Sequence, residues 1–194
     1  GSDTVISQIV AEVLQTTMDK VIIYSSDTDL TPYDCGAYAS STTYVSGNAA
    51  YNAACKMRER LIKEAAVELK AKPDDVEFDG KVFKASKNEI SLVDLSTGRL
   101  YNNDTHQIAV TESYHGHVSP PPFMAAFGEF EFDTETFEYK MVKYVTVTDC
   151  GTTINPALAK GQVEGGIIQG YGMASSEAVI YNEKGKLLSN TFDT

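Results

Sequence analysis

The sequence contains no apolar run approaching the ~18 residues needed to span a bilayer, which argues against a membrane-crossing helix. Its three cysteines, Cys35, Cys55 and Cys150, form no CxxC pair and have no His at zinc spacing. Three widely separated cysteines read as free thiols in a reducing compartment, so the expectation is a cytoplasmic protein with no metal ligand set of its own. Gly1-Ser2-Asp3-Thr4 lacks the basic start and continuous apolar stretch of a signal peptide. Basic residues are scarce, with 16 Lys and Arg against 27 Asp and Glu, a formal net charge of −11. Such a surface repels phosphate backbones and anionic lipid, which argues against nucleic acid and membrane partners. The nearest approach to a basic cluster, Lys56, Arg58, Arg60 and Lys63, is interrupted by Glu59 and reads as a solvated helix face.

What is present is ordinary globular composition, 42% hydrophobic and 22% charged over 194 residues. A chain of this length suits one domain or two small lobes and should bury roughly 70% of its unfolded surface. Apolar residues at Val5, Ile6, Ile9, Val10, Val13 and Leu14 keep the spacing of a buried helix stripe, with Ser2 or Asp3 as cap. Val21-Ile22-Ile23-Tyr24 predicts a short strand. A stretch of small and hydroxyl residues from Cys35 to Ser46 follows, then an alanine-rich helix from about Gly47 to Lys70, stopped by Pro73. Asp79-Gly80 turns a hairpin between Val76–Phe78 and Lys81–Phe83. Residues 107–113 predict a strand, leading into a loop with His115-Gly116-His117. Two alternating strands, Phe127–Phe132 and Tyr139–Val145, meet across Asp133–Thr136, the second running on to Thr148-Asp149, and Asn155-Pro156 starts a helix. A last hairpin pairs Val179–Tyr181 with Lys186–Leu188. The pattern predicts an α+β fold, with helices packed on mixed, largely antiparallel sheets.

Two segments invite a functional reading. The hydroxyls of Ser40, Ser41, Thr42 and Thr43 either cap the long helix or cradle an anion at its N-terminus. The helix after Asn155 carries five glycines, Gly161, Gly165, Gly166, Gly170 and Gly172, each costing about 1 kcal/mol against Ala. So many predict a surface pressed against a neighbour or a ligand, with Gln162 able to reach it. These glycines match neither GxGxxG nor a Walker loop. His115 and His117 read as an exposed loop pair rather than metal ligands, and Cys35 and Cys150, lacking basic neighbours, as packing residues. Local chemistry alone yields no complete active site.

Three stretches together resemble the molybdenum-binding subunit of the xanthine dehydrogenase and aldehyde oxidase family of molybdenum hydroxylases. They are Gly1-Ser2-Asp3-Thr4 with its helix, Thr31-Pro32 through Ala37-Tyr38-Ala39-Ser40-Ser41-Thr42-Thr43 to Ala49, and Asp149-Cys150-Gly151-Thr152-Thr153-Ile154-Asn155-Pro156 continuing through Gly161-Gln162-Val163-Glu164-Gly165-Gly166. The strand from Phe123 to Phe132 resembles one in that subunit too. The match runs in order over essentially the whole chain, and its third block is the most specific.

The resemblance implies that residues 1–194 are part of a molybdopterin-binding domain within a larger subunit. It implies molybdopterin with molybdenum, in bacteria often as the cytosine dinucleotide, and 2Fe-2S clusters and FAD on other domains or subunits of an oligomeric enzyme. The implied reaction inserts water-derived oxygen into a C–H bond of an N-heterocycle, purine- or nicotinate-like, or of an aldehyde. By position, Ala39 would lie beside the metal, leaving room for substrate. Ser40, Thr42 and Thr43 would hydrogen-bond the pterin or its phosphate, Gln162 would donate beside Gly161, and Ser2 and Thr4 would sit at the dinucleotide phosphate. The hydroxyl bend and Gln162 would then converge on one pocket. The family's catalytic glutamate lies in a Gly-x-Gly-Glu motif that this sequence lacks. The resemblance therefore assigns the chain no catalytic residue and implies that the piece alone is inert. The competing reading is a non-catalytic acidic α+β module that docks onto a partner.

Overall fold

A computed structural model describes residues 1–99, 101, 107–118 and 120–191. The chain divides into two compact units, Gly1–Ser119 and Pro120–Thr194.

The first unit opens with helix α1, Ser2–Val13, which buries Val5, Ser7 and Ala11. Gly1 stands at its N-cap with no side-chain cap, so Ser2 and Asp3 fall inside the first turn rather than before it. A 3-10 turn at Met18–Lys20 follows. Val21–Tyr24 is not a strand: among the described residues no segment pairs with it, and Ile22 is exposed. Local β propensity without a partner leaves its backbone to solvent.

Helix α2, Thr42–Leu69, is the spine of the unit. It starts five residues earlier than the alanine pattern suggests, drawing Thr42 and Thr43 into its first turn. It ends at Lys70 in the left-handed conformation, ahead of Pro73. Strands β1 (Glu77–Phe78), β2 (Val82–Ala85) and β3 (Asn88–Ser91) form an antiparallel sheet in that order. Helix α3, Leu92–Arg99, follows directly. Neither β3 nor α3 was evident in the sequence pattern.

The core lies where the second half of α2 meets this sheet and α3: Leu61, Ala65, Leu69, Phe78, Phe83 and Leu95 are all buried. Phe78 and Phe83 face each other across β1 and β2 with ring centroids 4.1 Å apart. Arg58 of α2 donates to the Phe78 carbonyl at 2.9 Å and lies over its ring, while also donating to the Val13 carbonyl at 3.3 Å. One guanidinium so joins the end of α1 to the sheet. Gly80 turns β1 into β2 at φ +88°, and a Cβ there would strike the Gln15 carbonyl.

Asp79 organises that turn. Its Oδ1 accepts from the Val82 N–H at 2.8 Å and the Lys81 N–H at 3.0 Å, and Lys84 lies 3.5 Å from its other oxygen. The Val82 and Lys81 N–H groups, then Lys84, hold its carboxyl below the ordinary 3.8. A depressed folded pKa adds stability above the unfolded value that is lost as pH falls through the folded one. Urea midpoints at pH 7 and pH 3 are therefore expected to differ less in Asp79→Asn than in the parent chain.

Residues 107–118 run extended along α2 but are not a strand. Arg60 donates to the Ala109 carbonyl at 3.0 Å, Lys56 pairs with Glu112, and Tyr44 bonds Tyr114. At Ala109 a helix side chain satisfies a backbone carbonyl that a neighbouring strand would otherwise take.

The second unit contains β4 (Phe123–Phe132), β5 (Tyr139–Asp149) and helix α4 (Pro156–Ser175). The strands pair antiparallel from Phe123↔Asp149 to Phe132↔Tyr139, with an irregularity after Glu129 that leaves Val142 unopposed. β4 begins at Phe123, four residues before the alternating pattern, while β5 runs on to Asp149 as expected. Asp133 closes the turn by accepting from Glu135 N–H at 2.8 Å and Thr136 N–H at 3.0 Å. Every residue of β4 is exposed, Phe123 by 69% and Phe127 by 68%, so the ribbon's apolar residues build no core among the described residues of this unit. Asn155 caps α4 as expected, its Oδ1 accepting from Leu158 N–H at 3.1 Å. The final hairpin reduces to a single bridge, Tyr181↔Leu187. All strand pairs among the described residues are antiparallel, and the architecture is α+β. Among the described residues no helix is long and apolar enough to cross a membrane.

Candidate functional site

The hydroxyl-rich bend takes a conformation its residues do not favour. Ala39 and Ser40 both have positive φ, 49° and 53°. The turn is closed by Ser41 N–H donating to the Tyr38 carbonyl at 3.0 Å. Left-handed backbone costs about 1–2 kcal/mol at an ordinary L-residue, and here two stand in succession. Strain of this kind persists only where surrounding structure imposes it, and it clusters at binding sites.

The turn delivers the chain into the start of α2. Ser41 occupies the N-cap, yet no side chain caps the helix: its Oγ donates instead to the Tyr38 carbonyl at 2.8 Å. The simple capping reading of the hydroxyl cluster is thus not what the structure adopts. Ala39, Ser40, Thr42 and Thr43 are brought together around a helix N-terminus that its N-cap side chain leaves uncapped. The preceding loop is held by Asp34 Oδ1, which accepts from Gly36 N–H at 2.7 Å. The stretch from Val21 to Ala54 contains no Lys or Arg, so what the bend itself can offer an anion is hydroxyl and N–H donors.

Ser2 and Thr4 are exposed at the first turn of α1, where Asp3 accepts a hydrogen bond from Ser25 at 2.9 Å. Gly161 and Gln162 belong to the second unit, in the second turn of α4. There α4 and one face of the ribbon line a cleft of about 520 Å³. Met124, Phe130, Met141 and Tyr144 form its strand wall, and Gln162, Gly166 and Tyr171 are among its helix residues. Gln162 brings a side-chain amide to a largely apolar lining.

The glycines behave differently from expectation. A Cβ built at Gly161, Gly165, Gly166 or Gly170 meets nothing within 4 Å among the described residues. Gly172 alone is crowded, by the Glu177 side chain.

A further expectation changes. Cys35 and Cys150 are exposed, so neither is a packing residue. A hydrogen bond to Cys35 raises the Tyr38 phenol above its usual 10.0, with the nearby thiol's charge next. His115 and His117 are exposed as expected, their rings edge to face at 5.0 Å, and no group of potential metal ligands occurs among the described residues. Sequence reasoning missed Tyr44 and Tyr114, whose hydroxyls meet at 3.1 Å beside the bend. No local signal announces a pair 70 residues apart.

The whole chain, residues 1–194, matches the family model of the molybdopterin cofactor-binding domain. It is 32% identical to the 6-hydroxypseudooxynicotine dehydrogenase complex subunit gamma of Paenarthrobacter nicotinovorans, over 99% of this chain and 25% of that protein. It is 36% identical to the probable hypoxanthine oxidase of Escherichia coli K12, over 97% of this chain and 20% of that protein. Among solved structures, the reconstituted CO dehydrogenase from Oligotropha carboxidovorans superposes with a TM-score of 0.82 at 28% identity, covering 98% of this chain and 24% of that one. The chain therefore spans about a quarter or a fifth of the length of these relatives.

Proposed function

Because the chain belongs to the molybdopterin cofactor-binding domain family, we propose that it forms part of the molybdenum-binding subunit of an oxidoreductase that hydroxylates an N-heterocycle, purine- or nicotinate-like, or an aldehyde. The observation that carries this reading is the left-handed turn at Ala39–Ser40, which sets hydroxyls at the uncapped start of α2. Neutral donors of this kind suit a phosphate-bearing pterin: they satisfy its anionic oxygens without salt bridges.

In this reading Ser40, Thr42 and Thr43 hydrogen-bond the pterin or its phosphate. Ala39 keeps the space beside the metal open, since any longer side chain at that position would enter it. Gln162 donates from α4, with Gly161 admitting close backbone approach. Ser2 and Thr4 face the phosphate of a dinucleotide form. The cofactor supplies the redox centre at which water-derived oxygen enters a C–H bond, and 2Fe-2S and FAD groups of other domains or subunits carry the electrons away. Support for a heterocyclic substrate comes from a relative named for hypoxanthine, a purine.

The test is cofactor content. Protein purified from cells that make molybdopterin is expected to carry molybdenum and pterin near stoichiometry, read as metal and as the fluorescent oxidised pterin. Ser40→Ala and Gln162→Ala should each retain about tenfold less after dilution, the scale of one hydrogen bond to a charged group. These 194 residues alone should not turn over substrate with an artificial electron acceptor. Absence of pterin from the parent enzyme would instead favour a docking module.

A further inference from the structure

The His115-Gly116-His117 segment has no part in the site just described, yet its glycine sits against Tyr44, the residue that follows Thr43. Tyr44 lies in the first turn of α2, one residue beyond Thr43. Its hydroxyl meets that of Tyr114 at 3.1 Å, and the two rings stand edge to face with centroids 5.8 Å apart. A Cβ at Gly116 would lie 2.8 Å from Tyr44 Cε1, closer than carbon atoms approach without displacement. Tyr44 is therefore gripped at its hydroxyl by Tyr114 and on its ring by the bare backbone of Gly116. At its other end, Asn48 Nδ2 donates to its main-chain carbonyl at 2.6 Å. Arg60 and Lys56 anchor the same extended segment further along α2, through Ala109 and Glu112, so Tyr114 is the anchor nearest the strained turn.

We infer that Tyr114, acting through Tyr44 with Gly116 as its seat, is a positioning residue that holds the Ala39–Thr43 turn in its left-handed, donor-presenting form. The inference rests on the functional reading above for what the turn binds, but the clasp itself belongs to this chain alone. Two successive left-handed residues need an external restraint. A hydroxyl pair bridging elements 70 positions apart supplies one at the first helical turn, where no cap does.

Hydrogen exchange in the full chain, without cofactor, tests the restraint. Ser41 N–H is bonded to the Tyr38 carbonyl and Val45 N–H to the Ser41 carbonyl, so both report on the turn. Tyr114→Phe is expected to speed exchange at these amides about two- to tenfold, the factor carried by one neutral hydrogen bond, and to leave Leu61–Leu69 unchanged. Tyr44→Phe and the double variant should match it, because all three lose the same bond. Gly116→Ala, which keeps both hydroxyls and displaces the ring, should loosen the same amides. Unchanged exchange, or a uniform rise along α2, would overturn the inference. The second reading is pterin retention relative to Ser40→Ala. Loss in both variants supports a positioning role. Loss in Ser40→Ala with none in Tyr114→Phe overturns that role, while loss in neither removes the binding assignment on which it was built.

Discussion

Phe83→Ala is expected to destabilise the first unit by about 3–5 kcal/mol, the cost of emptying a buried aromatic site. Phe83 is fully buried and stacks within 8° of parallel on Phe78, between the sheet and α2. Removing the ring leaves a void against Leu61, Ala65 and Leu95, none of which can follow it without leaving its own contacts. The loss should appear as a lower urea midpoint with little change in slope. Phe127→Ala, at a side chain 68% exposed, supplies the contrast: its effect should stay within about 0.5 kcal/mol. A comparable loss at both positions would mean that the aromatic core does not lie where β1 and β2 place it.

The second large effect is expected at Ala39. At φ 49° an alanine is already strained, and a β-branched side chain is worse, because its second branch crowds the preceding carbonyl. Ala39→Val should destabilise the turn by about 1–3 kcal/mol and reduce pterin retention at least tenfold, through added bulk and a displaced Ser40. Ala39→Gly adopts the same backbone freely and should keep the turn. Thermal unfolding together with pterin content distinguishes the two routes to failure. If Ala39→Val and Ala39→Gly both retained cofactor like the parent chain, neither the strain nor the space at this position would matter.

Much of the architecture was legible where a residue has a strong local preference. Asp79-Gly80 marks one hairpin and Asp133 another, and Asn155-Pro156 opens α4 with the cap it predicts. Legibility failed where a partner decides. Val21–Tyr24 has strand composition but pairs with nothing among the described residues, and residues 107–113 look like a strand yet lie along a helix. The start of α2 was misplaced because Thr42–Ser46 are weak helix formers, drawn in by the turn before them. The strained bend was hidden for a different reason: left-handed backbone is announced by Gly or Asn, and here it falls on Ala39 and Ser40.

The amino-acid order alone determined the family, through the Gly1–Thr4, Thr31–Ala49 and Asp149–Gly166 stretches, because residue types at fixed spacing are carried by the chain itself. It also determined the α+β class, since turn residues and hydrophobic period act over a few positions. Only the tertiary structure decided that Ala39 and Ser40 turn left-handed, that the N-terminus of α2 is left uncapped, and that Tyr114 and Gly116 grip Tyr44. The physical reason is range: these features arise between residues distant in sequence, or from strain that no local preference favours, and contact is what sets them.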